Sequence, residues 1–270
     1  VLLGLGVRGI PLGPRWSTWN VVGISMTLVP FITFVLEILA IVFVFVLAVL
    51  YISTQPSLMA QVEILATKIY TIERTPEAIL DLVAPLLLKP GILAIALSFF
   101  SLMVPMIEEL VKPLGVWLFA NQIRSRAQGF ALGALGGATY ALIETLGVTP
   151  QAGDWATTLL TRLGTDILHV TTSALMGAAI VYAIRERHYL RLLGTYLACV
   201  FLHGLWNGLA ILFTFSTLAS QYKQNLLHGV ATPAAVAVAA LAAGLLLILI
   251  LANRRMRASQ PTTVTEDLVP

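Results

Sequence analysis

From Val29 to Ile52 the chain carries a single charged side chain, Glu37. Five more apolar runs follow, at Gly91–Ala120, Gly129–Val148, Thr157–Ile184, Leu190–Phe215 and Ala231–Leu251. Each is near the ~20 residues that a helix needs to cross the hydrocarbon core of a bilayer. In hydrocarbon every backbone N–H and C=O must find an internal partner, which leaves only helices and closed barrels. These runs lack the alternation of barrel strands and are too long for them. The expected fold is therefore all-α: a polytopic transmembrane bundle of about six spans. It forms a single membrane domain over residues 1–257, with a polar tail at residues 258–270. Pro30 interrupts the first run, so a broken helix from Trp19 is expected to lead into it.

Composition narrows the function. Of 270 residues, 58% are hydrophobic and 11% charged, against about 25% charged in an ordinary soluble domain. So few ionised groups cannot cover a soluble surface, which excludes a cytosolic enzyme and a disordered chain. The one cysteine, Cys199, excludes an internal disulfide and hence a secreted disulfide scaffold.

The net charge of +3 does not point to nucleic acid, because most of the basic residues flank the apolar runs. With the N-terminus inside, the cytoplasmic segments hold Arg8, Arg15, Arg124, Arg126, Arg185, Arg187, Arg191, Arg254, Arg255 and Arg257. The opposite side holds only Lys68, Arg74, Lys89, Arg162 and Lys223. This bias places both termini in the cytoplasm. The one sizeable external piece, residues 54–89, spaces Leu, Ile and Val among Glu63, Lys68, Glu73, Arg74, Glu77 and Asp81. It reads as one or two amphipathic helices lying on the membrane or over the bundle.

Ionisable side chains inside the spans carry the functional signal, since each is costly in lipid and faces the bundle interior. The second span contains Glu108, Glu109, Lys112 and Pro113. Adjacent glutamates point about 100° apart on a helix and cannot do one job. Glu108 and Lys112 share a face, and Pro113 removes the donor for the carbonyl of Glu109. The third span has Tyr140 and Glu144 on one face, above Gly129, Gly133 and Gly137, a small-residue ridge that admits another helix. The fourth carries a polar stripe of Arg162, Asp166, His169 and Ser173. Asp166 is placed either to fix the tautomer of His169 or to pair with Arg162. The fifth presents His203 and Asn207 together, with Gly204 and Gly208 on a neighbouring row. Glu37 has no evident local partner and is assigned a structural or gating role.

Four consecutive spans thus bring carboxyl or imidazole groups to one expected site. Such a set can activate water, with one glutamate taking its proton and donors such as His203 and Asn207 stabilising an oxyanion. No Gly-x-Ser-x-Gly occurs, and nothing in the chain favours a thiolate at Cys199. Direct attack of water on an amide is favoured over covalent catalysis.

The ordered set Glu108-Glu109-x-x-Lys112, Tyr140-x-x-x-Glu144, His169 and His203-Gly204-x-x-Asn207 resembles the PrsW-like intramembrane proteases, which belong with the wider CAAX-protease and bacteriocin-processing group. The resemblance covers roughly residues 91–216. It implies peptide hydrolysis of glutamic type on a membrane-anchored protein within the lipid bilayer, without a cofactor. By likeness to the prenyl endoproteases, Glu108 would be the base, Glu144 would help hold the water, and His203 and Asn207 would stabilise the oxyanion. Glu109 and Lys112 would orient the first motif, and His169 matches the histidine of the PrsW pattern. Thr145 stands where these proteins often have asparagine. The expected location is a bacterial or archaeal cytoplasmic membrane.

Two other chemistries use the same residues. His169, His203 and a glutamate could form a zinc site of two histidines and one carboxylate, although no His-Glu-x-x-His occurs. Intramembrane Glu, Asp and His also serve non-enzymatic proton-coupled transport.

Overall fold

The computed structural model describes residues 2–71, 75–147, 155–225 and 227–260. Residues 261–270 of the expected tail, and Glu73 and Arg74 of the external segment, lie outside them. Among the described residues the chain forms helices and no strand. They are α1 (Leu2–Val7), α2 (Arg15–Met26), α3 (Leu28–Ser53), α4 (Pro56–Thr71), α5 (Pro76–Leu87) and α6 (Pro90–Ser98). A π-turn (Phe99–Met103) leads into α7 (Val104–Val111), followed by α8 (Leu114–Phe119), α9 (Arg126–Leu146), α10 (Trp155–Glu186), α11 (Tyr189–Gln221) and α12 (Ala231–Ala258).

Among the described residues six stretches are long and apolar enough to cross a membrane: Arg15–Ser53, Pro90–Phe119, Arg126–Leu146, Thr161–Glu186, Tyr189–Gln221 and Ala231–Ala258. The protein is an all-α polytopic membrane bundle, as its apolar runs predict.

Local chemistry sets the boundaries. Pro56, Pro76 and Pro90 open α4, α5 and α6, where a missing N–H costs nothing. The first span breaks at Thr27 (φ −120°, ψ −68°), just ahead of Pro30, whose ring disrupts the turn before it. Ser125 caps α9 by accepting from the N–H of Gln128 at 3.1 Å. Gln128 in turn accepts from the N–H of Arg124 at 2.8 Å and donates to the carbonyl of Leu12 at 3.1 Å. This is a variant of the capping box that also anchors the α1–α2 linker. The external segment forms two helices, α4 and α5, within the expectation of one or two.

The chain divides into two compact units. The first comprises Val1–Pro30, Glu109–Cys199 and Ala242–Pro270. Its centre is the α9–α10 pair, buried over 67% and 83% of their spanning windows. The glycine ridge explains how close these helices come. A Cβ on Gly133 would lie 2.2 Å from the carbonyl oxygen of Ser173, and one on Gly137 would lie 2.3 Å from that of His169. Gly177 answers from α10, where a Cβ would lie 2.2 Å from the carbonyl oxygen of Gly129. The two backbones touch, as small-residue spacing in membranes allows. Around them pack Phe130, Ala131, Ala134, Val170, Ala174 and Leu249, and Val21, Val116, Ile123, Leu132 and Ile180. Asn253 of α12 donates to the carbonyl of Gly6 at 2.8 Å and ties in α1.

The second unit comprises Phe31–Glu108 and Val200–Leu241. Within it α3 turns Phe34, Phe43 and Leu50 outward, each about 60% exposed. That face fits hydrocarbon, where an outward phenylalanine loses nothing. Glu37 lies half-buried on the same helix. Tyr222 donates to Asp81 at 2.5 Å, fastening α5 to the end of α11.

Candidate active site

Two polar clusters stand out, one in each unit. The first is held by α7, α9 and α10. Helix α7 ends at Val111, and Pro113 begins the next turn, so the second span is broken there, as Pro113 predicts. Glu109, Lys112 and His169 are buried to within about 1% of full exclusion. The ammonium of Lys112 lies 2.5 Å from Glu109 Oε1, which also accepts from the hydroxyl of Thr172 at 3.3 Å. The same ammonium lies 2.8 Å from Nδ1 of His169. An ammonium only donates, so Nδ1 accepts and the ring proton sits on Nε2. Nε2 then donates to Glu144 Oε2 at 2.7 Å. Arg162 closes the chain from the other side, with Nη2 3.2 Å from Glu144 Oε2 and Nε donating to Thr145 at 3.0 Å.

Carboxylate, ammonium, neutral imidazole, carboxylate and guanidinium therefore alternate in one line, and their formal charges cancel. Desolvated charges of this kind persist in an apolar interior only when matched and hydrogen-bonded. Tyr140 walls the line, its ring edge-on to His169 at 5.3 Å between centroids and 5.7 Å from the Lys112 ammonium.

The stripe predicted on the fourth span resolves differently from expectation. His169 takes Glu144 on the neighbouring helix as its partner, and so does Arg162. Asp166 stands within electrostatic range of both Arg162 and His169, but its Oδ1 has no hydrogen-bond partner among the described residues. A spacing of three or four on one helix allows a contact, but the carboxylate presented from α9 takes both groups. Ser173 belongs to the ridge, where a Cβ on Gly137 would meet its side chain at 2.8 Å.

The second cluster lies in the other unit. Glu108 and His203 are 7% and 2% exposed, and each offers a ligand-type atom to the other within 4.8 Å. The structure brings this pair together. An irregular turn in the middle of the second span explains how. Phe99–Met103 is a π-turn, in which the N–H of Val104 donates to the carbonyl of Phe99. The next donor in that register would come from position 105, which is proline and has none. The carbonyl of Phe100 is thereby orphaned, and Asn207 supplies the missing N–H from its side-chain amide at 2.9 Å. Gly204 lets α11 seat directly on the turn, since a Cβ there would lie 2.1 Å from the carbonyl oxygen of Ser101. Gly208 packs beside the Ser101 hydroxyl.

Thus Gly204, Asn207 and Gly208 read one irregular turn whose continuation carries Glu108. The π-turn, Thr172 and the Thr145–Arg162 contact were not anticipated from the sequence. Pro105, five residues after Phe100, was the visible signal for the first.

Cys199 is buried, with Sγ 3.6 Å from the carbonyl of Thr172. That position suits packing better than nucleophilic attack.

Neither the curated proteins nor the solved structures yield a match to this chain. The family comparison does. Residues 38–242, which hold Glu108, Glu109, Glu144, His169, His203 and Asn207, match the family described as PrsW family intramembrane metalloprotease. The match spans well over half of the sequence, and the protein therefore belongs to the PrsW family of intramembrane proteases.

Proposed function

We propose that this protein hydrolyses a peptide bond of a membrane-anchored protein by glutamate-activated water, without a covalent intermediate. The observation that carries the reading is the buried Glu108–His203 pair, within 4.8 Å, on the margin of an irregular turn. Glu108 takes the proton of the attacking water and later returns it to the leaving amine. His203 and the second N–H of the Asn207 amide are donors for the oxyanion that forms on the scissile carbonyl. The scissile segment enters unwound, because a helical peptide hides its carbonyls in its own hydrogen bonds.

Glu109, the residue after Glu108, supports the reading from the other side of the peptide bond. Its bonds to Lys112 and Thr172 hold the end of α7 within the first unit. His169 and Glu144 hold Lys112 in turn.

The family description names a metal, and the donor chemistry here allows a second reading. A carboxylate and an imidazole, Glu108 and His203, suit zinc and would be among the residues holding it. Bound zinc would supply a water acidified toward neutrality. A catalytic zinc takes three protein ligands. His169, the other histidine of the predicted set, has both ring nitrogens engaged by Lys112 and Glu144 and would have to surrender one.

The test is purified protein in proteoliposomes with candidate membrane-anchored substrates, read by mass spectrometry. Glu108→Gln is expected to lower turnover by about 10²–10⁴-fold while leaving the protein folded. Turnover retained in that variant removes the glutamate mechanism. Activity lost on chelation and restored by stoichiometric zinc replaces it with the metal reading.

A further inference from the structure

The second unit holds a cavity that the proteolytic reading does not use. It measures about 750 Å³ and lies between the end of α3, the helices α4 and α5, and the start of α6. Its walls are aliphatic, with Val44, Leu47, Leu65, Leu82, Leu86 and Ile92 among them. Tyr51, Gln61 and Lys89 are the polar exceptions.

Its place in the membrane follows from the chain. Helix α3 ends its crossing at Ser53, α6 begins the next at Pro90, and nothing between them crosses. The cavity therefore lies at one membrane boundary, with its deep wall in the spans and α4 and α5 as its cover. Tyrosine and lysine at that depth sit at headgroup level. Lys89 is exposed there, and its ammonium donates at 2.7 Å to Gln61, a neutral amide oxygen. Among the described residues no carboxylate pairs with it within 4.0 Å, so its charge is left for an outside partner.

We propose that this cavity binds an acyl chain of an anionic phospholipid, with Lys89 and Gln61 at its phosphate. An aliphatic lining offers water few polar partners, and a tail that leaves the bilayer for it exchanges one apolar setting for another, so preference rests on packing and on the headgroup. A peptide helix is a poorer fit. At roughly 10 Å across and 5.4 Å per turn it fills about 400 Å³ per turn, so fewer than two turns would enter. A lipid tail is slender enough to enter lengthwise while its headgroup stays at the rim. The cavity would then lock α4 and α5 onto the spans only in a membrane that supplies the right headgroup.

Gly91 makes the proposal testable. It lines the cavity, and a Cβ placed on it meets nothing within 4 Å. Gly91→Leu therefore adds a side chain at the lining from a Cβ that meets no clash, and narrows the chamber. The full chain would be reconstituted with phosphatidylglycerol carrying a photoreactive acyl chain, and crosslinks mapped by mass spectrometry.

The expected result is labelling on α3 and α6 that falls at least about tenfold in Gly91→Leu, equivalent to about 1.4 kcal/mol, because the added side chain competes for the chamber. Labelling should stay unchanged in Gly244→Leu, at a site equally open but outside the cavity. Lys89→Ala should keep the label but lose the preference for phosphatidylglycerol over phosphatidylcholine. Ala48→Leu, which also narrows the chamber, replaces Gly91→Leu if the latter fails to fold.

Equal labelling in the filled variants overturns the proposal. So does a filled variant whose lipid labelling is unchanged but whose KM for a membrane substrate rises, because the occupant is then peptide. Loss of proteolysis in Glu108→Gln with lipid labelling intact leaves this inference standing, so the two readings fail separately.

Discussion

The Nε2–H of His169 on α10 donates to Glu144 on α9 at 2.7 Å, while its Nδ1 accepts from Lys112 at 2.8 Å. One neutral ring is thereby fixed in one tautomer by an anion on one side and a cation on the other. Glu144→Gln can turn an amide N–H toward Nε2 and favour the opposite tautomer, which would drive a ring N–H at the Lys112 ammonium. Proteolysis is expected to fall by about 10²-fold or more, as when an orienting carboxylate becomes an amide in a serine-protease triad. Asp166→Asn should change little. Equal losses in both variants, measured as kcat on one membrane substrate, would contradict this division of labour.

Lys112 and Glu109 form a fully buried pair, and removing one partner strands a desolvated charge. Lys112→Met is expected to destabilise the protein by about 3–5 kcal/mol. The double variant Lys112→Met with Glu109→Met should recover most of that loss, since an apolar pair of similar volume is often neutral. Thermal unfolding in detergent, compared across the four-member cycle, reads the coupling.

The α9–α10 contact leaves no room at Gly133, where a Cβ would meet the Ser173 carbonyl oxygen at 2.2 Å. Gly133→Ala is expected to force the backbones apart and to cost at least about 1–3 kcal/mol, the usual range for overpacking. Gly194→Ala, with nothing within 4 Å, should instead be neutral or gain about 0.5–1 kcal/mol from helix propensity. A drop in melting temperature for both would mean that the ridge is not the cause.

Asn207 satisfies the Phe100 carbonyl that Pro105 leaves without a donor. Asn207→Ala should cost about 0.5–1.5 kcal/mol, the usual net worth of one hydrogen bond. Pro105→Ala restores a backbone N–H at the position that lacks one. The double variant should therefore be more stable than Asn207→Ala alone. Activity distinguishes a second duty of the amide. If Asn207 also donates to the oxyanion, the double variant regains stability but not kcat.

The spans were readable because a bilayer demands about twenty apolar residues at a stretch, whatever the tertiary packing. The ridge at Gly129, Gly133 and Gly137 was readable because a four-residue period places small side chains on one face. The break at Pro113 followed from a missing N–H. Partner choice was less accessible. Asp166 stands one turn from His169 on the same helix, and nothing along the chain says that α9 will be rotated to offer Glu144 first. That rotation is set by backbone contact between two helices, a nonlocal quantity. The π-turn was hidden for a related reason: Pro105 marks a missing donor, but only Asn207, some hundred positions away, reveals which carbonyl needed help. The cavity under α4 and α5 depends on how amphipathic helices close over two spans, and apolar periodicity does not distinguish a filled face from a hollow one.

The wide turn at Phe99–Met103 also keeps time for everything after it. A π-turn holds one residue more than the α-helical path, so its presence offsets all later side chains by about 100°. Regularising the same residues into α-helix would swing both acids in one sense by about 100°, carrying Glu108 onto the bearing Glu109 had held and Glu109 on to that of Leu110. The angular clock of the whole crossing is thus set by one surplus amino acid, upstream of the chemistry it aims.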